Sequence, residues 1–151
     1  MSERLPPFLP ENFAMPKYNN ILVPVSFEAG RNATQALEIA DAIRAAGGRI
    51  TVLHVIEQLP QYASDLLPEN HLEVARKAVT EKLSPLTADL QDAEIVVVEG
   101  HSARSILDYA QDKEKDCIVL ASHRPGMQDL ILGSTAARVV RQAQCSVHVV
   151  R

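Results

Sequence analysis

The stretch from Cys117 to Ser134 reads Cys-Ile-Val-Leu-Ala-Ser-His-Arg-Pro-Gly-Met-Gln-Asp-Leu-Ile-Leu-Gly-Ser. It begins with a continuous apolar run, 117–121, which predicts a short strand buried on both faces. A polar loop follows this strand and ends at Gly133. The next segment has apolar residues at the spacing of a helix's inner face, and Ser134 stands where the cap of that helix is expected. These apolar positions are Ala136, Val139, Val140 and Ala143.

A strand, a glycine-containing loop and a helix start together form an arrangement that can bind an anion. Backbone N–H groups at the start of a helix lack partners within the helix, and the helix dipole favours negative charge there. Gly133 would let a phosphate approach the backbone closely, or would give the loop a positive φ. The alternative is that Gly133 is only a tight turn into a helix, and spacing alone does not decide between the two.

Apolar strands alternate with amphipathic helices along the rest of the chain. The pattern predicts strands at 20–25, 50–56, 94–98, 117–121 and 146–150. Such an alternation predicts an α/β fold, a doubly wound parallel sheet with helices on both faces. Ligands of these sheets bind beyond the carboxyl ends of the strands, where the strand order reverses. The segments predicted at those ends are 24–26, 54–55, 100–102 and 121–134.

The helices between the strands are bounded by local signals. Asn32 and Gln35 resemble a capping box, and the helix that they begin is expected to end at Gly47-Gly48. Residues 58–69 are expected to form a loop. A long helix is predicted from His71, with a kink or interruption at Pro85.

Four histidine and serine positions near the predicted elements have more than one interpretation. His101 and Ser102 could either cap the third helix or line a pocket, and capping is the preferred interpretation. His54 is interpreted as a hydrogen-bonded core residue of the second strand. His148 alternates with valines on the last strand and is expected at a contact between two copies of the chain.

Composition limits the function classes. The 151 residues carry a net charge of −4 with a pI near 5.7 and no tryptophan, which argues against a nucleic-acid-binding protein. Cys117 and Cys145 are too few and too isolated for a disulfide framework or a zinc site, so both are interpreted as reduced packing residues. No apolar run is long enough for membrane insertion and the start does not resemble a signal peptide, so we expect a cytoplasmic protein.

The first part of the chain differs in composition from the rest. Residues 1–16 contain four prolines and are expected to form a flexible tail, whereas 17–151 is expected to form one domain.

Several segments resemble the universal stress protein family in order and spacing. They are Tyr18-Asn-Asn-Ile-Leu-Val-Pro-Val, Leu53-His-Val-Ile, Val98-Glu-Gly-His-Ser, the loop 121–134 and the ending 135–150. The resemblance covers residues 17–151. It implies an adenine-nucleotide alpha-hydrolase-like sheet of five strands in the order 3-2-1-4-5, paired into a homodimer through the last strand, 146–151. It also implies ATP or AMP as ligand, with Mg²⁺ as a possible companion, and a regulatory role in stress.

The loop after the fourth strand departs from the family pattern Gly-x2-Gly-x9-Gly-Ser. Its final Gly-Ser falls on Gly133 and Ser134, but Ala121 and Arg124 replace the first two glycines. The segment Ser122-His-Arg-Pro is similar to a family subgroup with a shorter loop, which is still compatible with nucleotide binding. Ser26 stands where the family usually has an aspartate that contacts ribose. A serine cannot accept two hydroxyls as a carboxylate can, so we expect weaker or altered nucleotide selection.

The resemblance assigns a nucleotide-binding role to thirteen residues. They are Pro24, Val25, Ser26, Val55, Leu120, Ala121, Ser122, His123, Arg124, Gly126, Gly133, Ser134 and Thr135. Within this set Pro24, Val25 and Ser26 would line the adenosine side, and Val55 would offer its backbone to adenine. Gly133, Ser134 and Thr135 would hold phosphate. His123 and Arg124 could add positive charge there, although a solvated loop cation is an equal interpretation of Arg124.

Catalysis has little support in the sequence. No nucleophile elbow and no Gly-x4-Gly-Lys-Ser/Thr phosphate loop is present, and Asp129 is the one acid of the main loop. A slow ATPase would need a metal-binding acid that the pattern does not show. We therefore expect a regulatory module that binds an adenine nucleotide and acts on a transporter or signalling protein. The alternative is a dimeric scaffold of the same family that has lost nucleotide binding.

Overall fold

The computed structural model describes residues 17–27, 33–122 and 132–151. Within them lies one parallel sheet of five strands in the order β3-β2-β1-β4-β5, as predicted. The strands are β1 (Tyr18–Pro24), β2 (Arg44–Glu57), β3 (Ala93–Gly100), β4 (Cys117–Ala121) and β5 (Ser146–Val150). The helices are α1 (Ala33–Ile43), α2 (Gln61–Ser64), α3 (His71–Thr87), α4 (Ser102–Asp112) and α5 (Ser134–Gln142). The predicted tail, 1–16, lies outside the described residues.

The two central strands, β1 and β4, are buried on both faces. Leu22 and Ile118 pack with α4 and α5, in what we call the α4/α5 cluster. Ile21 and Val119 point the other way and pack with α1 and Leu83 of α3, in the α1/α3 cluster. Because successive side chains of a strand alternate between faces, a continuous apolar run is what a strand covered by helices on both sides requires.

The Gly47-Gly48 pair does not end α1, which stops four residues earlier. The segment belongs instead to the start of β2, where the register slips: Tyr18 pairs with Arg44, whereas Asn20 pairs with Arg49. Gly47 has φ +74°, and a Cβ on Gly48 would lie 3.0 Å from the Tyr18 carbonyl oxygen. The two glycines therefore permit a bulged strand entry, which sequence alone does not distinguish from a helix end.

The continuous loop expected at 58–69 is wrong, and α3 is not interrupted at Pro85. The segment 58–69 contains the short helix α2, whose first turn closes through hydrogen bonds from the amides of Ala63 and Ser64 to the Pro60 carbonyl, at 2.9 and 3.1 Å. Pro85 does not interrupt α3, which continues to Thr87. Because Pro85 stands in the last turn, its missing N–H removes one hydrogen bond and leaves the earlier turns intact.

The predicted serine caps are also wrong. Ser102 and Ser134 are the first helical residues, and the cap positions belong to His101 and Gly133, neither of which makes a side-chain cap hydrogen bond. The buried face of α5 is narrower than predicted, since Val140 is 43% exposed. Asn32, half of the expected capping box of α1, lies outside the described residues.

A buried polar network closes the amino edge of the sheet. Lys115 Nζ donates to Asn20 Oδ1 and to Thr51 Oγ1, both at 2.7 Å, and the Thr51 hydroxyl donates to Glu94 Oε1 at 2.9 Å. Burial lowers the pKa of the Lys115 amine, an effect that the nearby Glu94 opposes. The carboxylate of Asp116 accepts the amides of Asn19 and Asn20, at 2.7 and 3.0 Å. These bonds tie the turn before β4 to the start of β1.

We expect Thr51→Val to lower the free energy of unfolding by about 1–3 kcal/mol, because the inaccessible hydroxyl links a buried ammonium to a carboxylate. Thr80→Val is the matched control, because its hydroxyl contacts only the Arg76 carbonyl on an exposed helix face. Urea unfolding of both variants measures the difference. Equal losses in the two variants would contradict a role for the network.

We expect the buried thiol of Cys117 to make the folded chain less stable at alkaline pH. Burial raises the pKa of its thiol from 9.0 to about 12, with smaller contributions from Cys145 and Asp116. Between these values the unfolded chain releases a proton that the folded chain keeps, so stability falls as pH rises. We expect the urea midpoint to fall less between pH 8 and pH 10 in Cys117→Ala than in the original chain. Parallel pH curves would show that the thiol does not contribute.

Candidate functional site

A cleft of about 750 Å³ opens at the carboxyl edge of the sheet, above β1, β2 and β4. The position of the cleft follows from how far β1 stays paired with each of its two neighbouring strands. β1 stays paired with β2 as far as Pro24 and Leu53, but the described pairing of β1 with β4 consists of Ile21 with Cys117 and Leu22 with Ile118. The two central strands separate beyond that point, where the direction of winding reverses, and space for a ligand opens between their ends.

Ten of the thirteen residues predicted for the site line this one cleft. They are Pro24, Val25, Ser26, Val55, Leu120, Ala121, Ser122, Gly133, Ser134 and Thr135. The other three, His123, Arg124 and Gly126, lie outside the described residues. Residues up to 111 positions apart in the chain thus meet at one place, and their assignment to nucleotide binding stays a prediction.

The start of α5 forms one wall of the cleft. Gly133 is buried, has φ −56° and ψ 156°, and its carbonyl accepts the amide of Ala137 at 2.9 Å. Because this φ is available to any residue, the positive-φ explanation for the glycine is excluded, and close backbone approach is the explanation left. The amides of Ser134 and Thr135 belong to the first turn of α5, where N–H groups have no acceptor within the helix. This wall can therefore hold a phosphate.

The loop after β1 is fixed to β2 by hydrogen bonds. The Val25 amide donates to the Leu53 carbonyl at 2.8 Å, and His54 Nδ1–H donates to the Val25 carbonyl at 2.8 Å. The His54 ring also packs against Phe27, with centroids 4.7 Å apart, and Lys82 Nζ lies 4.4 Å from the Phe27 centroid. His54 is hydrogen-bonded as predicted. It is half-buried and lines the cleft, so its assignment to the core alone is wrong.

Two polar residues of the cleft, Glu57 and Ser102, are absent from the predicted site: Glu57 carried no prediction, and Ser102 was assigned to capping in preference to pocket lining. Glu57 is the last residue of β2, and its Oε1 accepts a hydrogen bond from the hydroxyl of Ser102, the first residue of α4. Ser102 is thus a cleft residue rather than a helix cap. A signal for Glu57 was present, because it directly follows the strand predicted at 50–56, whose carboxyl end lies on the binding edge.

The cleft offers hydrogen-bond donors for an anionic group and apolar side chains for a ring. Helix amides and hydroxyls are available for phosphate, and apolar side chains such as Leu53, Ile106 and Leu120 could contact a base. Across 17–27, 33–122 and 132–151, no three histidine, cysteine or acidic side chains are grouped as a metal site would need. In these same ranges no helix has the length and hydropathy to cross a membrane.

Comparison with known proteins points to one family. The sequence model of the universal stress protein family matches residues 17–151. A universal stress protein of Thermus aquaticus is 30% identical over 133 residues, which cover 84% of this chain and 96% of that protein.

Solved structures of the same family share the fold. The universal stress protein UspA from Lactobacillus plantarum superposes with a TM-score of 0.68 at 27% identity, covering 89% of this chain and 99% of that one. The universal stress protein from Archaeoglobus fulgidus in complex with dAMP has a TM-score of 0.62 at 19% identity, covering 91% and 98%.

Proposed function

The chain belongs to the universal stress protein family, and from this membership we propose that it binds an adenine nucleotide, ATP or AMP, in the cleft at the carboxyl edge. The observation that carries the proposal is the convergence of ten predicted residues on one cleft. A family member of the same fold was solved with dAMP, which supports an adenine nucleotide as the ligand class.

The proposed ligand lies across the switch point. Its phosphate would contact the amides at the start of α5, where the helix dipole favours an anion. Its base would reach the backbone of Val55 on β2, and its ribose would lie over the end of β1, near Ser26. Leu120 and Ala121 would form the floor of the cleft beneath the ligand.

We propose a regulatory module rather than an enzyme. Among the described cleft residues the acid is Glu57, whereas Mg²⁺-dependent phosphoryl transfer commonly uses additional metal-binding groups. Nucleotide occupancy would instead alter a surface that a transporter or signalling protein contacts. The cytoplasmic location expected from the sequence stays a prediction.

The working form that we propose is a homodimer joined through β5. Within the described chain β5 pairs with β4 on one side, and its order in the sheet leaves the other side as an edge. An edge strand offers a row of backbone donors and acceptors to a second copy. His148 is exposed on this strand.

We expect Gly133→Asp to abolish nucleotide binding while the chain stays folded, because the new carboxylate would stand against the phosphate. Isothermal titration with ATP and AMP measures the affinity, and circular dichroism checks the fold. Gln91→Asp is the matched control, since it adds the same charge to an exposed turn at the opposite edge of the sheet.

Unchanged affinity in Gly133→Asp would refute the phosphate assignment. A folded original chain that binds neither ATP nor AMP would instead favour the scaffold. The residues Ser26, Ala121 and Arg124 at family motif positions are the supporting observation.

For the dimer, we expect His148→Glu to shift the chain towards monomer. In a two-fold interface through β5, the new carboxylates of the two copies would lie near each other and repel. His71→Glu, at the start of α3, is the control. Light scattering after size exclusion measures the mass, and a dimer that persists in His148→Glu at micromolar concentration would place the interface elsewhere.

A further inference from the structure

Glu57 is the acidic side chain among the described residues of the cleft. The other polar side chains there are hydroxyls of serine and threonine and the imidazole of His54. A carboxylate in a cleft proposed for an anionic ligand needs an explanation, because it repels phosphate. It can face a neutral part of that ligand, bind a cation carried by the phosphate, or lie away from the ligand.

The strand places Glu57 on a defined face. Leu53 and Val55 belong to the α4/α5 cluster, and Glu57 follows them at the two-residue period of β2. Glu57 therefore lies on the α4/α5 face at the end of β2, whereas Ser26 lies two residues beyond the end of the neighbouring strand β1. Both residues line the cleft.

Ser102 fixes the orientation of this carboxylate. Its hydroxyl donates to Glu57 Oε1, and the amide of Gln58 donates to the Gly100 carbonyl at 3.3 Å, which holds the end of β2 beside the turn into α4. A carboxylate has about four acceptor positions. With Ser102 on Oε1, Oε2 can still accept hydrogen bonds from a ligand.

The two walls of the cleft have opposite electrostatic preferences. The start of α5 follows β4 on one side of β1, and Glu57 ends β2 on the other side. A nucleotide with its phosphate at α5 therefore presents its neutral nucleoside part to Glu57. The groups of that part that a carboxylate binds best in pairs are the adjacent 2′ and 3′ hydroxyls of ribose.

We propose that Glu57 is a specificity-determining residue that accepts hydrogen bonds from the ribose diol, with Ser102 as its positioning residue. The inference rests on the proposed nucleotide binding and adds how the site selects among nucleotides. It also explains how the cleft can bind ribose although position 26 is a serine. The carboxylate that ribose needs would come from Glu57 of the neighbouring strand β2.

The test compares the dissociation constants of AMP and 2′,3′-dideoxy-AMP, measured by isothermal titration for the original chain and for Glu57→Gln. We expect the original chain to prefer AMP by about tenfold, the scale of one charge-assisted hydrogen bond. Glu57→Gln should bind both ligands with nearly equal affinity. Glu99→Gln, an exposed acid of β3, is the matched control and should keep the preference.

Ser102→Ala tests the positioning role. It should reduce the preference for AMP without changing the affinity for the dideoxy ligand, and Ser102→Thr should restore the preference because it keeps the hydroxyl. A loss of affinity for both ligands in Ser102→Ala would indicate a general structural role and overturn the assignment.

Four other outcomes would contradict the inference or the function on which it rests. An AMP preference that survives in Glu57→Gln, or that is absent from the original chain, overturns the inference and leaves nucleotide binding intact. A change in the AMP-to-IMP ratio in Glu57→Gln, with the diol preference unchanged, would assign the carboxylate to the base and also overturn it. An original chain that binds none of these nucleotides refutes the proposed function itself.

Discussion

The junction between β1 and β4 is the constraint on which the rest of the structure depends. Helices cover the middle of β1 and most of β4 on both faces, so the covered residues have to be apolar, and the described pairing of the two strands consists of two residue pairs near the amino edge. Asp116 strengthens this junction by accepting two amides of β1 with its carboxylate. The strands can then separate at the carboxyl edge without losing the sheet, and that separation is what opens the cleft.

The two edges of the sheet use polar groups differently. At the amino edge, Lys115 is buried with its hydrogen bonds made to Asn20 and Thr51, an arrangement that holds the fold together. At the carboxyl edge the polar groups converge on open space and include the first turn of α5. A buried charge has to be paired inside the protein, whereas a binding site has to leave hydrogen-bonding capacity for its ligand. Stability and proposed function are thereby separated to opposite ends of the same strands.

The wrong predictions share a cause. Gly47-Gly48 and Ser102 carry local signals that suit more than one structure: a glycine pair fits a helix end or a bulged strand, and a serine before a helix fits a cap or a side-chain hydrogen bond. Contacts distant in sequence decided each case. Tyr18 sets the register against which the glycines bulge, and Glu57 engages the Ser102 hydroxyl. Val140 is similar, because its helical spacing is correct but the described elements leave it 43% exposed.

The sequence pattern by itself determined the fold class, the number of strands and the edge of the sheet at which the cleft opens. Apolar runs such as 117–121 have one favourable place in an α/β sheet, and parallel strands bring their carboxyl ends to the same edge. The family resemblance then supplied the strand order and the residues that converge at the switch point. Only the tertiary structure decided where helix α1 ends, which serine faces the cleft and that Glu57 lines it. These features depend on which side chains meet across the sheet, and the energy of such long-range contacts exceeds the small local preferences that a sequence pattern records.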